Sequence, residues 1–250
     1  MSHTITLLPG GKSFAARADQ IILDAGLEAG LSLPYGCRNG ACRSCRARLR
    51  EGQVTQPERP SDALSDAERQ RGYLLLCECR ARSDLRLEAE ELDPDGLIQV
   101  RTLPVRLGRK SQLAHDVMAL SLNLPRGEQL HFLAGQYVDV LLRDGRRRAF
   151  SIASAPSQPD ELELHIRLVP GGSFSSHVFG PLRERSLLRI NGPLGSFYLR
   201  RNQGRPIILV AGGTGFAPVK SMLEDAMARG LTAPVHLYWG VRARRDLYHW

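Results

Sequence analysis

No apolar stretch in this 250-residue chain approaches the roughly twenty residues that cross a bilayer; runs such as 206–211 are far shorter. The opening Met1-Ser2-His3-Thr4 has no basic segment followed by an apolar one, so neither a secretory leader nor a membrane is expected, and the compartment is read as cytoplasmic. Internal repeats and low-complexity tracts are missing. So are the H-E-x-x-H pair of zinc hydrolases and the G-x-S-x-G nucleophile turn, which leaves the seven histidines as surface or packing residues. Zinc fingers, RNA-binding aromatic motifs and basic heptad helices are absent too. The net charge of +8 is unevenly spread: residues 1–96 hold 13 Lys+Arg against 15 Asp+Glu, leaving 21 against 11 for the remainder. A mildly acidic first part and a basic second part do not make one polybasic surface, and nucleic acid is excluded as a partner. A basic body suits ligands with pyrophosphates, or an acidic protein partner.

The five cysteines are an odd count, and three of them fall between Cys37 and Cys45. That is poor disulfide architecture and good metal-ligand architecture. Cys37-x4-Cys42-x2-Cys45, with a further cysteine about thirty residues on, has the ligand spacing of plant-type 2Fe–2S sites. Two sulfide-bridged irons need four thiolates, and one tight loop supplies three. Gly36, Gly40, Ala41 and Ser44 are small enough to let backbone N–H groups approach the sulfurs. Structural zinc pairs its cysteines as two short-spaced doublets, and Cys77-x-Cys79 is too tight for the second. A redox dithiol leaves three cysteines unexplained, and buried apolar cysteine does not occur three times in nine residues. The fourth ligand is left open by spacing, because Cys77 and Cys79 fall two apart in what reads as a strand and so share a face.

Pro34-Tyr35-Gly36-Cys37-Arg38-Asn39-Gly40-Ala41-Cys42, with Tyr73-Leu74-Leu75-Leu76-Cys77 and Ser83-Asp84-Leu85, resembles the ferredoxin domain of the NAD(P)H-dependent oxygenase-reductase family. The chain is similar to its phenol hydroxylase reductases and CDP-6-deoxy-Δ3,4-glucoseen reductases, which share a ferredoxin–NADP reductase-like core. The resemblance implies a β-grasp domain with Cys37, Cys42, Cys45 and Cys77 as ligands. Arg43 departs from the pattern, since many relatives have glycine there.

Three blocks separate along the chain. Residues 1–96 read as strands near 4–8, 13–18, 46–49 and 84–87 with helices over 21–31 and 65–71; Asp93-Pro94-Asp95-Gly96 is a turn-rich joint. Residues 99–200 carry short apolar or alternating runs at 117–124, 137–142, 149–153, 162–169 and 187–190, the pattern of a small antiparallel barrel. Residues 201–250 read as strand 207–211, glycine turn, helix 217–229 and strand 235–240, the opening of a parallel α/β unit. The fold class is thus multidomain: a β-grasp ferredoxin domain, an antiparallel FAD-binding β-barrel, and the start of a parallel nucleotide-binding domain that is expected to be truncated, since a doubly wound sheet binds its ligand across both halves.

Arg148-Ala149-Phe150-Ser151 resembles the family's R-x-[YF]-S flavin motif. An arginine forks onto a pyrophosphate, an aromatic two residues along shares its strand face, and the resemblance puts Ser151, the catalytic candidate, near the flavin N5. Gly171-Gly172-Ser173-Phe174-Ser175 resembles the glycine–serine segment in which Gly172 and Ser175 hold the pyrophosphate, and Gly192-Pro193-Leu194-Gly195-Ser196-Phe197 closes the barrel. Gly135-Gln136-Tyr137 fits structurally. Gly212, Gly213, Thr214, Gly215 and Pro218 lie in a strand-to-helix turn that matches the family's G-G-T-G-x-A-P dinucleotide motif and not G-x-G-x-x-G. The implied function is a reductase passing electrons from NAD(P)H, with NADH favoured, through FAD to a 2Fe–2S cluster and on to a partner oxygenase or dehydratase. A monomer is expected. The competing expectation from another class is a non-catalytic ferredoxin-type carrier with a docking body.

Overall fold

A computed structural model describes residues 1–92, 98–158, 161–200 and 204–249, which divide into a first unit, Met1–Leu97, and a second, Ile98–Trp250. The joint expected at 93–96 lies outside the described residues. The first unit is built from β1 (Ser2–Leu8), β2 (Ser13–Arg17), α1 (Ile22–Glu28), β3 (Arg46–Glu51), β4 (Val54–Thr55), α2 (Asp66–Gln70), β5 (Tyr73–Leu75), β6 (Arg80–Ala81) and β7 (Leu85–Glu88). Its mixed sheet runs β2-β1-β7-β3-β5, with β1 and β7 parallel; β4 and β6 form a separate pair. Alternation places one residue in two inward, so Ile5 stands opposite Phe14 on one side and Leu85 on the other, and all three are buried. Helix α1 covers this layer with Ile22, Leu23 and Ala25. Gly26 permits the close fit: a Cβ there would stand 2.6 Å from the Leu33 side chain.

Between α1 and β3 the chain runs from Ala29 to Cys45 without helix or strand, and this loop carries three of the cysteines. Helix α2 is only five residues long, yet both halves of a capping box close its start: Ser65 accepts from the Glu68 amide and Glu68 accepts from the Ser65 amide. Cys77 is not in a strand. Residues 76–78 form a turn closed by Glu78 N–H donating to the Leu75 carbonyl at 3.0 Å, because β5 ends at Leu75, where the Leu76 amide is taken by the Cys45 carbonyl. Cys77 and Cys79 therefore do not share a strand face.

The second unit contains β8 (Arg101–Ala114), β9 (Val117–Asn123), β10 (Tyr137–Leu141), β11 (Arg147–Ser151), β12 (Glu161–Arg167), α3 (Ser173–Phe179), β13 (Leu187–Leu194), β14 (Ile207–Gly212), α4 (Phe216–Ala228) and β15 (Val235–Gly240). Six strands order as β11-β10-β13-β8-β9-β12. Among the described residues the two edge strands make no ladder with each other, but the chain just past β11 meets β12 at a bridge, Ile152 with Leu164, and Ala153 N–H donates to the Glu163 carbonyl at 2.7 Å. Leu103, Leu120, Val138, Leu162, Leu164 and Ile190 fill the concave side. Strand β9 is buried on both faces: Leu120 and Leu122 face this core, while Val117 meets a second cluster with Leu209, Phe216 and Tyr248. Strands β14 and β15 are parallel, with α4 as the crossover between them.

Candidate functional site

Four of the five thiols converge. The Cys37 amide donates to the Cys42 sulfur and the Cys42 amide to the Cys37 sulfur, both at 3.3 Å, while Cys42 Sγ and Ser44 Oγ lie 3.3 Å apart. Cys77 hydrogen-bonds Cys45 and accepts from the Gly40 amide, which brings the turn after β5 onto the loop. Gly40 is needed there twice over. Its φ is +81°, and a Cβ would lie 2.1 Å from Glu78 Oε1 and 2.8 Å from Ser61 Oγ. Gly36 is close to Cys42 too, where a Cβ would be 3.2 Å from the sulfur.

The electrostatics favour thiolates at Cys42 and Cys45. Burial alone would raise the Cys42 thiol, but the amides of Cys37 and Ser44 and the Ser44 hydroxyl bring it down to about 7. In the Cys45–Cys77 pair, the hydrogen bond between them lowers Cys45 and raises Cys77, with burial adding to the rise. Cys79 stands apart. It is 2% exposed, burial pushes it up to about 12, and it accepts from the Leu75 amide beside the charges of Glu78, Cys77 and Arg69. A donor set of four soft sulfurs, with amides aimed at them and glycines where a Cβ would collide, fits a 2Fe–2S cluster.

In the second unit the flavin-type motif divides between two sheet faces. Arg148 and Phe150 stand opposite Val140 and Val138, both fully buried, so they share the core-facing side; Ser151 lies opposite Tyr137 on the other side. The Phe150 ring is 5.5 Å from that of Phe174 on α3, which joins the arginine strand to the glycine–serine segment. The Ser175 hydroxyl is committed within that segment: it accepts from the Val169 amide at 3.1 Å and lies 3.0 Å from the Gly172 carbonyl. Gly172 must be glycine, since a Cβ would meet Ser175 Oγ at 2.6 Å. Gln136 holds the chain just past β13 with a 2.9 Å bond to the Gly195 carbonyl.

At the C-terminal ends of β14 and β15 lies a cavity of about 270 Å³, bordered by Gly213, Thr214, Gly240, Asp246, Asp116 and Arg167. A Cβ on Gly212 or Gly215 would meet nothing within 4 Å, so the turn is open to close approach. Gly213 has a φ of +51°, and its carbonyl takes the Trp239 indole N–H at 2.9 Å. Pro218 is buried in the first turn of α4, where its missing N–H costs nothing. Two residues with no motif of their own tie this turn to the flavin strand. Ser221 donates to the Ser154 carbonyl at 2.7 Å and Lys220 to the Ala153 carbonyl at 3.2 Å, three and two residues beyond Ser151. Lys220 also lies 3.4 Å from Glu163, whose carboxyl is lowered to about 2 by its hydrogen bond to His165 and by the Lys220 charge, against the opposing effect of burial.

Comparison with known proteins assigns these parts. The description "2Fe-2S iron-sulfur cluster binding domain" matches residues 5–82, "Oxidoreductase FAD-binding domain" residues 104–198, and "Oxidoreductase NAD-binding domain" residues 209–249. The CDP-6-deoxy-L-threo-D-glycero-4-hexulose-3-dehydrase reductase of Yersinia pestis is 39% identical over 99% of this chain and 74% of its own length. Reductase component 1 of the terephthalate 1,2-dioxygenase of Comamonas sp. is 38% identical over 99% and 73%. Among solved structures, the Amycolatopsis cytochrome P450 reductase GcoB superposes with a TM-score of 0.78 at 32% identity, covering 98% of this chain and 74% of that one.

Proposed function

The chain belongs to the iron–sulfur flavoprotein reductases that serve oxygenases and dehydratases, and from that premise we propose which of its residues do the work. Electrons pass from NAD(P)H by way of FAD to a 2Fe–2S cluster and on to a redox partner protein. The chemistry the bound groups supply is the conversion of a hydride pair into single electrons.

Cys37, Cys42, Cys45 and Cys77 hold the cluster, and Cys79 does not. The observation that carries this is the convergence of those four thiols around Gly40, with Cys79 buried apart. Arg148 grips the flavin pyrophosphate on the strand face it shares with Phe150, and Phe150 flanks the isoalloxazine. Gly172 and Ser175 shape the turn beneath the pyrophosphate; the Ser175 bonds to Val169 and Gly172 support a bracing part for that hydroxyl. Ser151 donates at the flavin N5 edge and is the catalytic residue. Gly212, Gly213, Thr214 and Gly215 present backbone amides to the dinucleotide phosphates, and Pro218 sets the start of α4.

The domain limits that suit this reading are 1–96, 99–200 and 201–250, and the three matched segments fall inside them. The helix laid on a mixed sheet supports a β-grasp first domain. The bridge between Ile152 and Leu164 supports a barrel around FAD. NADH is the favoured donor: Arg242 at the cavity could meet a 2′-phosphate, but Asp246 beside it opposes one. The protein works as a monomer in the cytoplasm, where cysteines stay reduced and available to iron. Purified protein should contain about two irons, about two acid-labile sulfides and one FAD per chain; zinc in place of iron would overturn the assignment.

A further inference from the structure

Strand β3 carries Arg46 and Arg48 on the face opposite buried Ala47. This face begins at the cysteine loop. Arg43, between Cys42 and Cys45, reaches across to Glu68 on α2, which also takes Arg46 at 3.1 Å. The guanidinium groups of Arg46 and Arg48 lie 4.9 and 5.7 Å over the ring of Tyr73 on the neighbouring strand, which fixes them in place before any partner arrives. Arg48 donates to the Arg71 carbonyl at 2.9 Å, while Glu88, which pairs with Arg48 across the sheet, bonds Arg50 beyond a register shift between Leu49 and Glu51.

Arg43, Arg46, Arg48 and Arg50 thus meet Glu68 and Glu88, and farther along the sheet Arg86 pairs with Glu51 at 3.6 Å. The cations also outreach their partner: the side chains of Arg43 and Arg46 are 45% and 44% exposed, that of Glu68 13%. Cys42, at the head of the strip, is exposed as well. Arg43 has a φ of +63°, the left-handed region where glycine sits without strain. An arginine at that position is best explained by what its side chain presents.

Building on the cluster assignment above, we propose that the strip Arg43–Arg46–Arg48 is the docking surface for the electron-accepting protein, and that the acceptor meets it with an acidic face. Electron transfer needs the two redox centres close together, and a cluster held by these cysteines would come nearest the surface at exposed Cys42. Basic groups beside that edge steer an acidic partner to it and repel a basic one. Each transfer moves one electron: an iron of the reduced cluster goes from ferrous to ferric, the acceptor's iron goes from ferric to ferrous, and no bond or proton is involved.

The test uses the cluster-loaded chain and two haem proteins of opposite charge as probes, acidic cytochrome b5 and basic cytochrome c. Binding is measured by titration calorimetry at low and high salt. Transfer is followed by stopped flow after reduction with dithionite and removal of the excess. Wild type should bind cytochrome b5 more tightly than cytochrome c, with an affinity and rate that fall as salt rises. Arg43→Gly removes a charge while easing the backbone, and Arg48→Gln removes a second; each should weaken cytochrome b5 binding and slow transfer about threefold at low salt, and together about tenfold. The same variants should accelerate transfer to cytochrome c. Equal binding of the two probes, or variants that leave both probes unaffected, would overturn the proposal. The calorimetric arm does not depend on the cluster, so a chain without cluster absorption refutes the ligand assignment and leaves the docking result standing by itself.

Discussion

Exchanging Cys77 and Cys79 for serine, one at a time, separates a ligand from its neighbour two residues away. Cys77 is half-buried, hydrogen-bonded to Cys45 and served by the Gly40 amide. A serine hydroxyl keeps those two bonds, so the apo-protein should lose less than about 1 kcal/mol of stability. A neutral hydroxyl is a poor partner for a sulfide-bridged iron that takes thiolate ligands, so iron content should fall to a small fraction of wild type. Cys79 reverses this pattern. Its side chain is 2% exposed, and burying a hydroxyl in place of a thiol costs roughly 1–2 kcal/mol even with the Leu75 amide still donating. In a domain of this size that lowers the melting temperature by about 4–8 °C per kcal/mol. Iron and sulfide content should nevertheless stay at the wild-type level. Elemental analysis and visible circular dichroism read the first property, and calorimetry of the apo-proteins reads the second. Iron lost from Cys79→Ser and kept in Cys77→Ser would refute the reasoning, because the turn at 76–78 would then present the wrong sulfur.

Arg148→Ala should weaken FAD binding by about 1.5–3 kcal/mol, the worth of a charge-assisted fork, while the visible spectrum of the cluster stays unchanged; fluorescence titration of the apo-flavoprotein checks it. Gly40→Ala forces a Cβ toward Glu78 Oε1, 2.1 Å away, at a φ of +81°, and should cost more than about 1 kcal/mol together with most of the iron, measured by melting and iron assay. The Glu163 carboxyl, lowered to about 2 from an ordinary 4.5, contributes stability that is present above the ordinary value and lost as pH falls through about 2. Glu163→Gln should therefore flatten acid denaturation of the second unit between those values and lower its stability at neutral pH, as followed by circular dichroism.

The features visible in the sequence were those that need particular residues at particular local spacings. The three-cysteine loop, the Arg148–Ser151 motif and the turn from Gly212 to Gly215 are each contiguous, and their chemistry restricts composition strongly. Strands β9, β10, β14 and β15 announced themselves through apolar runs. Strand β8 did not, because it is amphipathic, carries Pro104 and is interrupted by register shifts near Arg109 and Ala114, so Leu103, Val105 and Leu107 alternate with polar residues over part of its length only. The turn at Cys77 was hidden by the leucines before it, which read as a continuing strand until the Cys45 carbonyl captures the Leu76 amide. Lys220 and Ser221 carry no signal at all, since their partners lie 67 residues away and are backbone carbonyls, which every residue has. Contacts of that kind come from tertiary packing.

The central claim is that electrons placed on the flavin reach the cluster held by Cys37, Cys42, Cys45 and Cys77. Flash photoreduction of the FAD in the fully loaded chain, with flavin and cluster absorption followed together, tests it most directly. The account predicts that cluster absorption bleaches as the reduced flavin reoxidises, in a first-order step whose rate does not depend on protein concentration. A flavin that stays reduced beside an unbleached cluster, or a rate that rises in proportion to protein concentration, would contradict it.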